Sequence, residues 1–273
     1  MRTRIIVSVI VIPILFLIVL LAPVWALGTV IGLAAARCAW EFLYVTEKDA
    51  PIRISIYAAV SAFCIPFLSS LFDGGRMILI VSFLLFAVVF CELMLSFRKE
   101  TTMEFETVAV TLLAGIAFPV LLGGIVRLGL RENGHAYALL PFIVCFSSDI
   151  GGYFGGVLLG RHKLTPRLSP HKTLEGSIGG FVLAIALSLV YGLILRAAEF
   201  EVNFAVMGVY GFLGSLAAQL GDLSFSAVKR LFGVKDYGNL IPGHGGMLDR
   251  CDSMMWVAAL LELIVAWVPA FVK

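Results

Sequence analysis

The sequence predicts an all-α polytopic membrane protein with about nine transmembrane helices. Three observations predict it. Of the 273 residues 60% are hydrophobic and only 14% charged, and the mean hydropathy of +1.02 lies well outside the range of soluble domains. Apolar windows of about 17 to 25 residues, the length that crosses a hydrocarbon core, recur along the whole chain. The basic residues cluster in alternate connections between those windows. A net charge of +2 is too small to argue for a nucleic-acid partner.

Taken in order, the windows are 5–22, 24–45, 53–71, 76–97, 105–126, 136–159, 176–197, 203–228 and 253–272. The start, Met1-Arg-Thr-Arg4, could open a signal peptide. The apolar run behind it, however, continues for about two membrane widths, so it reads as a retained signal anchor. Pro23 marks the boundary between the first two windows, and Arg37 directly before Cys38 spoils the small-residue pattern of a lipid-attachment site. Pro13, Pro66, Pro119 and Pro141 fall inside windows and predict kinks, which neighbouring helices in a membrane tolerate by satisfying the freed backbone groups. Cys38, Cys64, Cys91, Cys145 and Cys251 lack the paired spacing of a zinc site or disulfide framework and read as packing residues. There is no internal repeat or low-complexity tract.

Nine spans alternate the connections between two sides and sort the 20 Lys and Arg residues. Fourteen fall on one side: Arg2, Arg4, Lys48, Arg53, Arg98, Lys99, Arg161, Lys163, Arg167, Lys172, Lys229, Arg230, Lys235 and Arg250. Five fall on the other, and Arg37 lies within a span. The richer side is therefore cytoplasmic, with the N-terminus in and the C-terminus out. The loops 160–175 and 229–252 share that face, a conclusion that needs only the two spans between them.

The longest polar window runs from Ser226 to Asp252 and holds five glycines, His244, and the acids Asp236, Asp249 and Asp252. Ahead of it Ser215, Gln219, Asp222, Ser226, Lys229 and Arg230 recur at spacings of three and four, so a polar seam descends one helix face into the membrane. A carboxylate at the bilayer centre costs at least about 2.5–3.5 kcal/mol unless paired or wet, which makes Asp222 a functional candidate; the bland alternative is a helix-to-helix salt bridge. Gly243, Gly245 and Gly246 let backbone N–H groups approach phosphate oxygens. Asp249 and Asp252, three apart at the start of the last helix, suit a divalent ion and its phosphates, although either one alone could be a cap.

The other polar loop contains Ser169-Pro-His-Lys-Thr-Leu-Glu-Gly176, where Ser169, Lys172, Thr173 and a helix start supply the ingredients of an anion site. Asp149, with Tyr153 one turn later, is a second intramembrane carboxylate, either a metal ligand or a hydrogen-bonding partner of a neighbouring helix. Arg37 and Glu41, one turn apart, read as an internal pair, and Glu92 and Glu262 as bonds between helices, all without a catalytic role. Gly155-x-x-x-x-Gly160 is followed by Arg161 and His162, so it is no phosphate-binding loop. Asp73-Gly-Gly-Arg76 is a turn between spans.

Together, Ser226-x-x-Lys229-Arg230, Lys235-Asp236 and His244-Gly-Gly-x-x-Asp249-Arg250-x-Asp252 resemble the signature of the phosphatidate cytidylyltransferases, the CDP-diacylglycerol synthases. Ser169-Pro-x-Lys172-Thr173-x-Glu175-Gly176 and Gln219-x-Gly221-Asp222 also resemble family segments, so the likeness covers roughly residues 145–260. Cys251 and His171 depart from the residues usual at those places; neither removes a ligand.

The resemblance implies transfer of CMP from CTP to phosphatidic acid, giving CDP-diacylglycerol and pyrophosphate for phospholipid biosynthesis, in an active site at the cytoplasmic face of a bacterial inner membrane. It implies magnesium held by Asp222 and Asp249, with Asp252 and Asp149 as further ligands, and a second cation such as potassium. It implies a nucleotide site built from Ser169, Lys172, Thr173, Glu175, Ser226, Lys235, Gly245 and Gly246, with Lys229, Arg230, His244 and Arg250 acting on the triphosphate. It divides the chain into N-terminal anchoring helices, 1–135, with a homodimer interface by analogy, and a catalytic region, 136–273, that carries both polar loops. Two other readings stand beside it: a CTP-dependent polyprenol or dolichol kinase, which shares C-terminal motifs, and an ion-coupled transporter built on Asp149, Asp222 and Glu262.

Overall fold

The structure, a computed structural model, describes residues 13–98, 102–240 and 245–272. Backbone groups in hydrocarbon find no water, so these apolar windows close their hydrogen bonds within helices. The elements run α1 (described over residues 13–21), α2 (Val24–Thr46), α3 (Ile52–Ser69) and α4 (Gly74–Ser96). One interrupted span follows, made of α5 (Phe105–Leu112), a π-helical turn (Leu113–Ala117), α6 (Phe118–Leu122) and α7 (Gly124–Gly129). After α8 (Gly134–Leu159) come a hairpin of β1 (Lys163–Thr165) and β2 (Ser169–Thr173), then α9 (Leu174–Ala197), β3 (Glu201–Val202), α10 (Phe204–Leu231), α11 (Leu248–Trp267) and β4 (Phe271–Val272).

Among the described residues seven helical spans are long and apolar enough to cross a membrane, beginning at Val24, Ile52, Gly74, Phe105, Gly134, Leu174 and Phe204. They match the second to eighth expected windows to within a few residues. The first window, 5–22, lies partly outside the described residues. The last forms α11, which starts at Leu248, not 253, and carries Asp249, Arg250, Asp252 and Glu262, too many charges for it to join the seven. The exterior is apolar: Leu79 and Phe83 on α4 are 72% and 69% exposed, as suits side chains that lipid would cover.

The chain divides into two compact units, one of Met1–Arg127 with Phe232–Cys251, the other of Leu128–Leu231 with Asp252–Lys273. The segment 232–251 groups with the N-terminal helices.

In the first unit, polar contacts tie otherwise apolar helices. Arg53 and Tyr57 of α3 reach Glu92 of α4 at 2.9 and 3.3 Å, the bond between helices expected for that acid. Asp73 caps α4 by accepting from the N–H groups of Gly75 and Arg76, which refines the expected turn. The π-helical turn precedes Pro119. In an α-helix the donor to the Gly115 carbonyl would be residue 119, which as proline has no N–H; the Ser61 hydroxyl of α3 donates there at 2.8 Å.

In the second unit, α8, α9 and α10 pack around small residues. Gly151 and Gly155 of α8 meet Gly176 and Gly179 of α9 backbone to backbone: a Cβ on Gly179 would lie 2.6 Å from the Gly151 carbonyl oxygen, and one on Gly155 2.9 Å from the Glu175 carbonyl oxygen. This is the small-residue packing that substitutes for hydrophobic driving force in lipid. At one end of the unit, β3 pairs antiparallel with β4, and Tyr137 stacks on Phe271 at 4.0 Å while its hydroxyl donates to the Phe271 carbonyl.

Candidate active site

Helices α8, α9 and α10 and the β1–β2 hairpin enclose a cavity of about 490 Å³ in the second unit. Gly152, Gly156 and Gly176 form part of its wall. Asp149, Tyr153, Lys172, Thr173, Ser177, Gln219 and Asp222 bring polar groups to it. Thr173 ends β2 and caps α9, its hydroxyl accepting from the Gly176 N–H at 3.1 Å. That cap fixes the turn from which Lys172 reaches across to α10, where its ammonium forms an ion pair with Asp222. On the other side Asp222 accepts a hydrogen bond from Ser226 at 3.3 Å, one turn along the same helix. Deeper in, Ser177 donates to Gln219 at 2.5 Å, Gln219 to Ser215 at 3.3 Å, and Ser148 bonds Ser215 at 2.8 Å. Along α10, Ser215 thus bonds Gln219 and Ser226 bonds Asp222, and α8 and α9 add Ser148 and Ser177, residues that the sequence did not single out. Their signal was present as hydroxyls in the same small-residue stretches as the glycines.

The seam continues past Asp222. Asp252, 6% exposed, lies within electrostatic reach of Asp222, Lys229 and Asp149. Lys229 itself is buried, an unusual position for an ammonium, while Arg230 is exposed with its Nε directed at the Leu168 carbonyl of the hairpin. Three carboxylates and the two lysines Lys172 and Lys229 thus share a restricted volume in this unit. Among the described residues no three His, Cys, Asp or Glu side chains form a ready-made metal cluster. Magnesium ordinarily takes one or two carboxylates together with substrate phosphates, and Asp222, Asp252 and Asp149 offer hard oxygen donors of that kind.

Two other expected nucleotide contacts of this unit, Glu175 and Ser169, lie outside the cavity lining. Glu175 turns to the hairpin backbone: it accepts from the N–H groups of Arg161 at 3.0 Å and His162 at 3.2 Å, and it pairs with the His162 ring at 2.6 Å. It braces the hairpin, and like Ser169, which sits opposite Thr165 at the start of β2, it does not line the cavity. The hairpin itself stands where the sequence suggested a plain loop and helix start.

In the first unit the segment 232–251 has its own order. Asp249, in the first turn of α11, accepts from the N–H groups of Tyr237 at 2.8 Å and Gly246 at 2.9 Å. A residue expected to hold metal therefore also closes the loop on itself. Gly245 adopts φ +83, a left-handed conformation that a side chain would resist, and Gly246 is buried. Lys235, Asp236 and Arg250 are exposed. His244 and Gly243 lie outside the described residues.

Residues 2–268 match the cytidylyltransferase family. A stretch of 135 residues is 43% identical to the phosphatidate cytidylyltransferase of Staphylococcus haemolyticus (strain JCSC1435), covering 50% of this chain and 51% of that protein. The proteins of the same name from Staphylococcus saprophyticus (strain ATCC 15305) and Staphylococcus aureus (strain COL) are each 42% identical over the same proportions. The match thus spans about half the length of these curated relatives. Because the family match runs over nearly the whole sequence, the chain belongs to the cytidylyltransferase family.

Proposed function

We propose that this protein transfers CMP from CTP to phosphatidic acid, making CDP-diacylglycerol and pyrophosphate at the cytoplasmic face of a bacterial inner membrane. The observation that carries the reading is the cavity in which Lys172 and Thr173 of the hairpin meet Asp149 and Asp222 of helices fit to cross a membrane, in a chain of this family. A soluble enzyme would have to extract phosphatidate. Here the polar seam on α10 reaches into the apolar layer, where a lipid headgroup can meet a nucleotide while its tails stay in lipid.

The chemistry asks little of side chains as acids or bases. A phosphate oxygen of phosphatidate attacks the α-phosphorus of CTP. The bond from that phosphorus to the bridging oxygen of the β-phosphate breaks, and pyrophosphate departs with the electron pair. A phosphate monoester is already nucleophilic near neutral pH, so positioning and charge neutralisation dominate. Lys172, paired with Asp222, and the buried Lys229 are proposed to meet phosphate oxygens, and the Thr173 cap holds Lys172 in place. Asp222, with Asp252 and Asp149, is the proposed holder of magnesium, which when bound supplies positive charge to the phosphates.

The test uses purified protein in detergent with phosphatidate, magnesium and CTP labelled at the α- or the γ-phosphate. The reading expects α-label in lipid and γ-label in pyrophosphate. γ-Label on a polyprenol would replace it with a lipid kinase, and absence of transfer by folded protein to any lipid would remove the enzyme reading.

A further inference from the structure

Glu41 of α2 is 2% exposed, a carboxylate buried within an apolar helix. A group like that is costly unless fully bonded. Its Oε1 pairs with Arg37 Nε at 2.9 Å, as the spacing suggested. Its Oε2 does something the spacing could not reveal: it accepts from the backbone N–H of Leu248 at 2.9 Å, across 207 residues of sequence. Leu248 is the first residue of α11, whose opening N–H groups have no partner within the helix. A carboxylate from α2 therefore caps α11, where its negative charge also suits the positive end of the helix dipole.

The glycines nearby fit around the same group. A Cβ on Gly238 would lie 2.7 Å from Glu41 Oε1, and a Cβ on Gly246 would fall directly on the carboxylate. Glycine at these positions is the space in which the carboxylate sits. Tyr237, next to Gly238, is buried and packs against Phe42 of α2 with ring centroids 6.0 Å apart. Gly246 is in turn bonded to Asp249. Glu41 thus touches the segment at Gly238, Gly246 and Leu248, on both sides of the stretch 241–244.

We propose that Glu41, oriented by Arg37, is a positioning residue for the proposed cytidylyl transfer: it sets the backbone of residues 245–248 and so the attitude of Asp249 and Arg250 in the next turn. The role rests on the function proposed above, but its structural half can be read without it. Hydrogen exchange of the full-length protein in detergent reports opening at the 245–248 amides, and turnover of CTP and phosphatidate reports the consequence.

In Glu41→Ala, exchange at 245–248 accelerates at least about tenfold, because a charge-assisted acceptor has been removed, while α3 exchanges as before. The same variant loses about 100-fold in kcat, the scale of misplacing reacting groups by about an ångström. Glu41→Gln keeps a carbonyl for the Leu248 N–H, so it is expected to protect these amides and recover most of the turnover. It also decides the question if the alanine variant does not fold: rapid exchange at 245–248 in Glu41→Gln, without loss of activity, overturns the proposal. Unchanged exchange at 245–248 in a folded Glu41→Ala overturns it as well, as does a mobile loop with full turnover. A wild-type protein that transfers no CMP while the exchange results hold would instead remove the function and leave Glu41 as the cap of α11.

Discussion

Substituting Gly179 by alanine tests how the cavity wall is built. In the structure the added methyl would lie 2.6 Å from the Gly151 carbonyl oxygen and 3.2 Å from the Gly155 Cα. Both neighbours are backbone, so neither can rotate away; ordinary contact requires α8 and α9 to separate by several tenths of an ångström. Overpacking of this kind costs about 1–3 kcal/mol. Gly208 on α10 is the matched control, since nothing lies within 4 Å of a Cβ placed there. Alanine at 208 should stabilise by about 0.5–1 kcal/mol through backbone entropy alone. The two variants should therefore move in opposite directions and differ by roughly 1.5–4 kcal/mol. Unfolding of the purified proteins in a common detergent, followed by circular dichroism, reads this difference. If Gly179→Ala is as stable as Gly208→Ala, the close approach of α8 to α9 is not what shapes this unit.

Other expectations follow from the same geometry. Lys172→Met removes a cation from the cavity and should raise the KM for CTP by about 10- to 100-fold, the range of a hydrogen bond to a charged group, with circular dichroism unchanged. Thr173→Ala deletes the cap of α9 and should cost about 0.5–2 kcal/mol in the unfolding assay, whereas Thr173→Ser, which keeps the hydroxyl, should cost little. Glu47, just beyond α2, has its carboxyl pushed above the usual carboxylate range by partial burial and by the charges of Glu106 and Glu104, against the hydrogen bond from Thr107 at 2.6 Å. Its protonated form is the one the fold favours. Its favourable contribution is therefore present at acid pH and lost as pH rises through the raised value; a stability profile should fall over that window and flatten in Glu47→Gln.

Much of the architecture is legible in the chain because lipid simplifies the reading: a window of bilayer length and no charge has little choice but to be a helix. The polar seam on α10 is legible for the same reason, since Asp222 stands out where charge is costly. The hairpin at 163–173 is not, because Lys-Leu-Thr and Ser-Pro-His-Lys-Thr carry no alternating pattern and the pairing depends on how Glu175 gathers the Arg161 and His162 N–H groups. The glycines of α8 could be compared with a phosphate-binding loop and rejected, but their actual role needs the partner glycines of α9 in view. Asp249 looks like a ligand in sequence, while its bonds to Tyr237 and Gly246 arise from a fold-back that spacing does not encode. Glu41 is the extreme case: its helical neighbour Arg37 accounts for it locally, and its contact with Leu248 is invisible until the two are brought together.

The most direct test of the account compares wild-type protein with Asp222→Asn, which removes the charge that pairs with Lys172 while keeping the shape of the side chain. Both are given phosphatidate, magnesium and α-labelled CTP, and both are checked for the same circular dichroism and unfolding. The account predicts α-label in lipid from the wild type, lost on chelation of magnesium, and only background from the variant. Equal transfer by the two proteins would contradict it, because the cavity around Asp222 would then not be where CMP changes hands.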